Sequence, residues 1–263
     1  MLQAVMPPAL WNFGKGLKRR LFLSAEHFEY APDGWATPVP SPNEFWSAFL
    51  PQERSMYEAL MARLRAGESP LAAHSDEHVK YLTYAFVLAL AAREQQTLSV
   101  LDYGGNLGEY YWIGRAVVPG INLDYHCKEL PGVAAAGLAL NPTVTWHTDD
   151  SCLSRTYDLV MLCSSLECVP HWRETLRHAA GAAHRYLFIQ AVLTVSTVPS
   201  FVGRHRTGGR TRVLNLLNRS EIIATIEGTG LQLRQEFAIG GHPMVANAPE
   251  QPGRTGWLFE RRG

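Results

Sequence analysis

A glycine cluster directly after a short apolar run is the feature that most limits the folds open to this chain. The run ends at Leu101, Asp102 follows, and then come Gly104, Gly105 and Gly108. Such a strand–turn–helix junction lets a ligand approach the backbone closely and places helix-start N–H groups beside it. The pattern therefore predicts an α/β fold that binds its ligand at this turn.

The spacing of the glycines does not fit a dinucleotide-binding turn. A Gly-x-Gly-x-x-Gly frame that starts at Gly104 puts Asn106 and Glu109 at the later glycine positions, and a frame that starts at Tyr103 lacks the first glycine. An Asp two residues before the first glycine instead resembles motif I of the class I S-adenosylmethionine-dependent methyltransferases. A nicotinamide-dependent oxidoreductase is a further alternative that this poor fit makes the least favoured.

Carboxylates follow the next two predicted strands. The strand at Asn122–Cys127 leads to Glu129, and a carboxylate at the end of the second strand of a βαβ unit can accept hydrogen bonds from both ribose hydroxyls of an adenosine ligand. The strand at Thr143–His147 leads to Asp149 and Asp150. An acid there could bind an adenine amino group, and a solvated turn is an equal alternative.

Further apolar segments complete the predicted sheet. Tyr157–Cys163 is a buried parallel strand that ends at Ser164 and Ser165, and Tyr186–Leu193 is the fifth strand. Two last strands, Leu231–Ile239 and Gly256–Arg261, form a closing hairpin. The predicted fold is a Rossmann-like, doubly wound, mostly parallel seven-stranded sheet with an antiparallel closing hairpin and an N-terminal helical extension.

Three motifs together resemble a bacterial methyltransferase family whose members often accompany polysaccharide or O-antigen genes. They are Asp-Tyr-Gly-Gly-Asn-Leu-Gly from residue 102, Lys-Glu-Leu-Pro-Gly-Val from 128 and Ser-Ser-Leu-Glu-Cys-Val from 164. The resemblance is firm over about residues 98–172. It implies S-adenosylmethionine as the cofactor, bound by Asp102, Gly104, Gly105, Asn106, Gly108, Glu129, Asp149, Ser164 and Ser165. The chain departs from the family pattern at Asn106, which replaces a glycine, at Glu167-Cys168 and at Gln190.

Composition excludes several classes of function. Lys plus Arg and Asp plus Glu are equal at 24 each, so no global charge attracts nucleic acid. The apolar stretch Tyr81–Ala92 is too short to span a bilayer, and the first ten residues lack the basic region of a signal peptide. The four cysteines have no metal-binding spacing. We expect a cytoplasmic protein without a metal.

The chain divides into an N-terminal helical region, residues 1–74, and a cofactor-binding domain, residues 75–263. Helices at Asn43–Leu50 and Gln52–Ala66 are predicted to cap the acceptor side of the sheet or to pack on a second subunit, as in a homodimer. Residues 10–22 mix aromatics with four cations, which fits weak contact with anionic lipid or, alternatively, a solvated or dimer-packing helix.

Two more helices flank the sheet in the predicted domain. A helix over residues 76–94 packs beside the sheet just before the first strand. A second runs from Asn218, its N-cap, to Glu227, with Glu221 reaching back in a capping box.

Methyl transfer to a hydroxyl needs a base close to the reacting atoms. Glu167 and His171 follow the fourth strand and are the candidate catalytic residues, and Glu167 could instead contact the amino group of the cofactor. His205 and His242 are further options. Each histidine could equally be a surface or capping residue.

The densest basic run of the chain covers residues 203–212, which we place in a loop between the fifth strand and the next helix. Arg204, His205, Arg206 and Arg210, with Arg212, could bind phosphate or carboxylate on an anionic acceptor. They would then form a positive rim that faces the glycine turn. A mobile, solvated loop is the alternative.

The sequence thus favours an S-adenosylmethionine-dependent methyltransferase that acts on oxygen of a small-molecule or glycan acceptor. A catalytically silent member of the same fold that serves as a binding or scaffold subunit is the second hypothesis, because Asn106, Glu167 and Gln190 depart from the family pattern.

Overall fold

A computed structural model describes residues 27–71, 77–93, 95–241 and 243–262 of the chain. The strands in these ranges are β1 (His27–Tyr30), β2 (Thr97–Tyr103), β3 (Asn122–Lys128), β4 (Thr145–His147), β5 (Tyr157–Cys163), β6 (Ala183–Val195), β7 (Phe201–Thr207), β8 (Arg210–Asn218), β9 (Leu231–Ala238), β10 (Val245–Ala246) and β11 (Gly253–Arg261). The α-helices are α1 (Pro42–Ser47), α2 (Leu50–Arg65), α3 (Glu77–Ala92), α4 (Glu109–Val117), α5 (Pro131–Leu140), α6 (Trp172–Ala182) and α7 (Arg219–Glu227). Short 3-10 helices lie at Gly34–Ala36, Asp150–Ser154 and Leu166–Cys168.

Seven strands form the main sheet, in the order β4, β3, β2, β5, β6, β11 and β9. The pairs from β4 to β6 are parallel, and β11 is antiparallel to both of its neighbours. This confirms the predicted mostly parallel sheet with a closing antiparallel hairpin. The carboxyl ends of β2, β3 and β5 therefore meet at one edge, where open α/β sheets bind their ligands.

Helices cover both faces of this sheet. Leu176 of α6 and Ile222 of α7 are fully buried against one face, and Leu88 of α3 and Ile113 of α4 against the other. The strands between them are apolar on both sides, as expected for a parallel sheet covered by helices. The predicted helix at 76–94 is found as α3.

Four further strands extend the sheet beyond the prediction. β8 pairs in parallel with the end of β6 through Thr194 and Val195, and β7, β1 and β10 continue from β8. The prediction of a loop at residues 203–212 was wrong: these residues form the β7–β8 hairpin, which turns at Gly208 and Gly209. The N-terminal region is also not purely helical, because β1 joins the sheet.

Local capping sets where two helices begin. Ser41 and Glu44 form a reciprocal capping box at α1, with Pro42 in the first turn. Asn218 caps α7 as predicted, accepting from the Glu221 amide at 3.1 Å. The predicted return contact was wrong, because the Glu221 carboxylate accepts from the Ser200 hydroxyl at 2.6 Å instead.

The aromatic and basic segment at residues 10–22 lies outside the described residues, as does His242. In the part that the structure describes, no helix combines the length and apolarity that a bilayer span requires.

Candidate functional site

A cavity of about 530 Å³ opens at the carboxyl ends of β2, β3 and β5. Its floor is the glycine turn after β2, together with the residues that follow β3 and β5. Helices α1 and α2 cover it, and the start of α3 closes one side. The volume is within the range of about 300–1,000 Å³ typical of small-molecule sites.

The glycine turn is tightly packed against the strand ends. Gly104 has a φ of +80°, and a Cβ there would lie 2.4 Å from that of Ser165. A Cβ at Gly105 would lie 2.3 Å from the Asp102 carboxylate. Side chains are thus excluded at both positions, and the bare backbone faces the cavity.

Asn106 keeps the conformation that a glycine would have in this turn. Its φ is +52°, in the left-handed region that Asn tolerates better than most residues. Its backbone N–H donates to Glu129 at 3.1 Å, and its side-chain amide donates to Glu53 of α2 at 2.7 Å. The departure from the family pattern therefore leaves the turn intact and links it to the helix above.

Glu129 lies in the cavity wall at the end of β3, as the sequence predicted for a ribose-binding carboxylate. It accepts from the backbone N–H groups of Asn106 and Leu130, the latter at 2.7 Å. Burial raises its pKa, while these two hydrogen bonds and the charge of Lys128 oppose that rise. Two carboxylate oxygens offer more acceptor capacity than two amides use, so further hydroxyl donors can bind.

Asp102 is completely buried behind the turn and is not part of the cavity wall. The hydroxyl of Tyr125 donates to its Oδ2 at 2.8 Å, and Oδ1 has no hydrogen-bond partner in the described part of the chain. Burial raises the pKa of Asp102 to about 7, an effect that the Tyr125 hydrogen bond opposes and the Glu129 charge reinforces. Asp102 thus supports the turn from behind.

Ser164 and Ser165 line the cavity at the end of β5. Ser164 has a φ of +54°, which is unusual for a residue with a side chain. The Ser165 hydroxyl donates to the Tyr103 carbonyl at 2.5 Å. These contacts fix the end of β5 against the end of β2.

Asp149 lies away from the cavity, in contrast to its predicted place. It is exposed and caps the 3-10 helix that follows it, accepting from the Ser151 amide at 2.9 Å. Hydrogen bonding to the Ser151 side chain and to its backbone amide holds the pKa of Asp149 below the usual value. Asp150, in contrast, contacts two residues that line the cavity. It accepts from the hydroxyl of Tyr103 at 2.8 Å and lies 3.4 Å from the ammonium of Lys128.

Neither predicted catalytic residue lies in the wall of the cavity. His171 is exposed at the start of α6. Glu167 is buried behind the wall, where burial raises its pKa and the charges of Arg254 and Arg212 oppose that rise. The structure therefore brings neither side chain to the place where an acceptor would lie.

The basic run also lies apart from the cavity. Arg204 and Arg206 form ion pairs with the same Glu29 oxygen, at 3.2 and 3.1 Å. His205 stacks on Phe28 at 4.0 Å, and burial together with the Arg212 and Arg254 charges lowers its pKa to about 3. The predicted positive rim, with Arg210 at the hairpin turn, is not found in the described structure.

Arg212 is the member of the run that reaches the back of the cavity wall. Its guanidinium lies 4.9 Å from the ring of Trp46 and donates to the sulfur of Cys168 at 3.2 Å. Both of these partners line the cavity. The hairpin thus supports the site from outside.

Sequence reasoning missed the residues that α2 and α3 contribute to the cavity. They are Glu53, Tyr57, Arg63, His78, Lys80 and Tyr81. A signal was present, since the first turn of α3 carries polar and aromatic residues whereas the rest of that helix is apolar.

Comparison with known proteins shows the fold. No family model and no curated protein matches the chain. The sugar N-methyltransferase KedS8 from Streptoalloteichus sp ATCC 53650 matches with a TM-score of 0.51 and 16% identity, over 78% of this chain and 93% of that one. CalS10, an amino pentose methyltransferase from Micromonospora echinaspora, matches with a TM-score of 0.49 and 16% identity, over 72% of this chain and 93% of that one. The likeness to KedS8 shows that the chain has the Rossmann-like fold of methyltransferases.

Proposed function

We propose that the protein is an S-adenosylmethionine-dependent methyltransferase that acts on a hydroxyl of a small-molecule or glycan acceptor. The observation that carries this is one cavity bordered by the bare glycine turn, by the Glu129 carboxylate and by the cover of α1 and α2. Solved structures with this fold include SAM-bound methyltransferases and enzymes that act on sugars.

The residues present fit an adenosine-containing cofactor. The Glu129 carboxylate suits ribose hydroxyls, and Gly104 and Gly105 leave room for the backbone to approach a ligand. Tyr103 lines the same end of the cavity, and the ammonium of Lys128 lies 4.4 Å from the centre of its ring. When bound, S-adenosylmethionine supplies an electrophilic methyl group.

The protein itself orients the acceptor and excludes water. The cover of α2 is tied down by the hydrogen bond from the Trp112 indole to Tyr57 at 2.8 Å and by the bond between Asn106 and Glu53. A cavity covered in this way holds the acceptor oxygen in line for transfer and limits the access of solvent.

His78 is the side chain we assign as proton acceptor. It lines the cavity, and its buried Nδ1 has no hydrogen-bond partner in the part of the chain that the structure describes. An imidazole nitrogen without a partner can take the proton of a hydroxyl once the ring turns this buried atom towards the acceptor. Once an acceptor is found by transfer of labelled methyl, His78→Ala should lower kcat by about 10²–10⁴-fold and leave cofactor affinity unchanged.

Calorimetry tests the proposal directly. S-adenosylmethionine and S-adenosylhomocysteine should both bind the wild type, and Glu129→Gln should weaken both by about tenfold or more, because a charged acceptor is lost. Glu174→Gln, at an exposed position of α6, is the matched control and should bind normally. Absence of binding to the wild type at high ligand concentration would overturn the proposal.

A further inference from the structure

Lys80 carries a positive charge into the cavity from the first turns of α3. The residue is partly buried, and its backbone is held in place: the side-chain amide of Gln190 donates to the Lys80 carbonyl at 2.8 Å. Gln190 in turn accepts from the hydroxyl of Tyr110 at 3.1 Å. The base of the Lys80 side chain is therefore fixed within the fold.

The other cations of the cavity wall have partners. Arg63 is paired with Glu68 at 3.0 Å, and Lys128 lies 3.4 Å from Asp150. Among the carboxylates whose side chains the structure describes, none lies within ion-pair distance of Lys80.

The carboxylates of the cavity do not balance this charge. Glu129 accepts from two backbone amides and Glu53 from the side chain of Asn106, and Glu109, the third carboxylate of the wall, forms no ion pair with Lys80. Burial raises the pKa of the Cys163 thiol, which lines the cavity, and the charge of Lys80 opposes that rise. The same charge has a smaller effect on the pKa of buried Glu167, where the charges of Arg254 and Arg212 act more strongly. An ammonium group that is partly removed from water without a counter-ion is costly, and an anionic ligand group would remove that cost.

We propose that Lys80 forms an oxyanion-binding subsite of the cavity, which takes a carboxylate or phosphate group. An ammonium is a compact charge that binds such groups without demanding a bidentate geometry. The inference rests on the proposed function only for the source of the anion. That source is either the carboxylate of the cofactor's amino-acid end or an acidic group of the acceptor.

Two ligands separate these sources. S-adenosylhomocysteine carries the carboxylate, and 5′-methylthioadenosine has the same nucleoside and thioether without it. If Lys80 binds the carboxylate of the cofactor, Lys80→Met lowers the affinity for S-adenosylhomocysteine about tenfold or more and leaves the affinity for 5′-methylthioadenosine unchanged. Lys80→Arg should restore the affinity for S-adenosylhomocysteine. Arg177→Met removes an exposed charge on α6 and serves as the control.

If the anion belongs to the acceptor, Lys80→Met leaves both nucleosides unchanged. Protein saturated with S-adenosylhomocysteine should then bind glucuronate or glucose 6-phosphate more tightly than glucose in an NMR titration, and Lys80→Met should abolish that preference. Unchanged affinity of Lys80→Met for all of these probes would overturn the subsite.

The failure of the proposed function is distinguishable from the failure of the subsite. If the wild type binds neither nucleoside, the methyltransferase proposal falls. A titration of the free protein with inorganic phosphate then still tests the subsite. Binding to the wild type that Lys80→Met loses supports it, and equal behaviour of the two proteins overturns it.

Discussion

At the scale of single residues, Asn106 shows how a departure from a motif is accommodated. In the sequence it stands where the family pattern has a glycine. The structure shows a left-handed φ of +52°, a backbone donor for Glu129 and a side chain that reaches Glu53. The first two features follow from the motif, whereas the contact with a helix far away in the chain depends on tertiary packing that no local pattern encodes.

Substitution at Asn106 should separate these roles. Asn106→Gly keeps the backbone conformation and loses the bond to Glu53, so the free energy of unfolding should fall by no more than about 1 kcal/mol. Asn106→Val adds a β-branched side chain in the left-handed region and should lose roughly 1–2 kcal/mol more. Urea denaturation of the three proteins gives both values, and equal stability of the Gly and Val variants would contradict the assignment.

Asp102 makes stability depend on pH in an identifiable way. Burial raises its pKa to about 7, well above the value of an unfolded chain, so the folded protein holds a proton that the unfolded protein has released. The resulting destabilisation is absent below about pH 4, grows as the pH rises towards 7 and is constant above it.

The variant Asp102→Asn removes this titration and keeps an oxygen acceptor for Tyr125. Between pH 5 and pH 8 the wild type should lose roughly 2–3 kcal/mol more unfolding free energy than the variant. Urea denaturation at the two pH values measures the difference. Parallel pH profiles for the two proteins would show that Asp102 does not titrate in this range.

At the scale of elements, the β7–β8 hairpin explains why the arginines were misplaced. Residues 203–212 combine arginines with glycines, a composition typical of a solvated loop. Their strand conformation depends on the pairing of β7 with β8 and with β1. The charges of Arg204 and Arg206 are balanced by Glu29 on that neighbouring strand. A strand that is stabilised by partners distant in the chain has no local signal.

The double variant Arg204→Gln, Arg206→Gln should therefore act on stability alone. Each ion pair is partly exposed, so the loss of unfolding free energy should stay below about 1 kcal/mol per pair. Affinity for S-adenosylhomocysteine should not change, as judged by calorimetry. A marked loss of that affinity would show that the hairpin takes part in binding.

At the scale of the whole molecule, the seven main strands and their mostly parallel arrangement could be predicted because most of these strands are apolar and each βα step is short. The extension by β8, β7, β1 and β10 could not, because β1 and β10 are brief and pair with distant segments. The candidate site follows the same division. The glycine turn and the strand ends belong to local sequence motifs. Helices α1 and α2 cover the cavity through contacts with segments that are distant in the chain.

Because β1 is hydrogen-bonded into the sheet and α2 contacts the glycine turn, residues 27–71 should unfold together with the rest of the chain. Circular dichroism and tryptophan fluorescence should give one coincident thermal transition. Two separated transitions, with the earlier one reported by Trp46, would show that the N-terminal region is an independent unit.

The short strands at the two ends of the widened sheet bear on its solubility. Among the described residues the path ends at β10 and β4, of two and three residues, which offer little backbone for another chain to pair with. The longer edge strand β9 carries two charged residues, Arg234, which is exposed, and Glu236, which is partly buried. A sheet of this width thereby resists edge-to-edge aggregation, and a variant that replaces these charges with valine should lose that protection first.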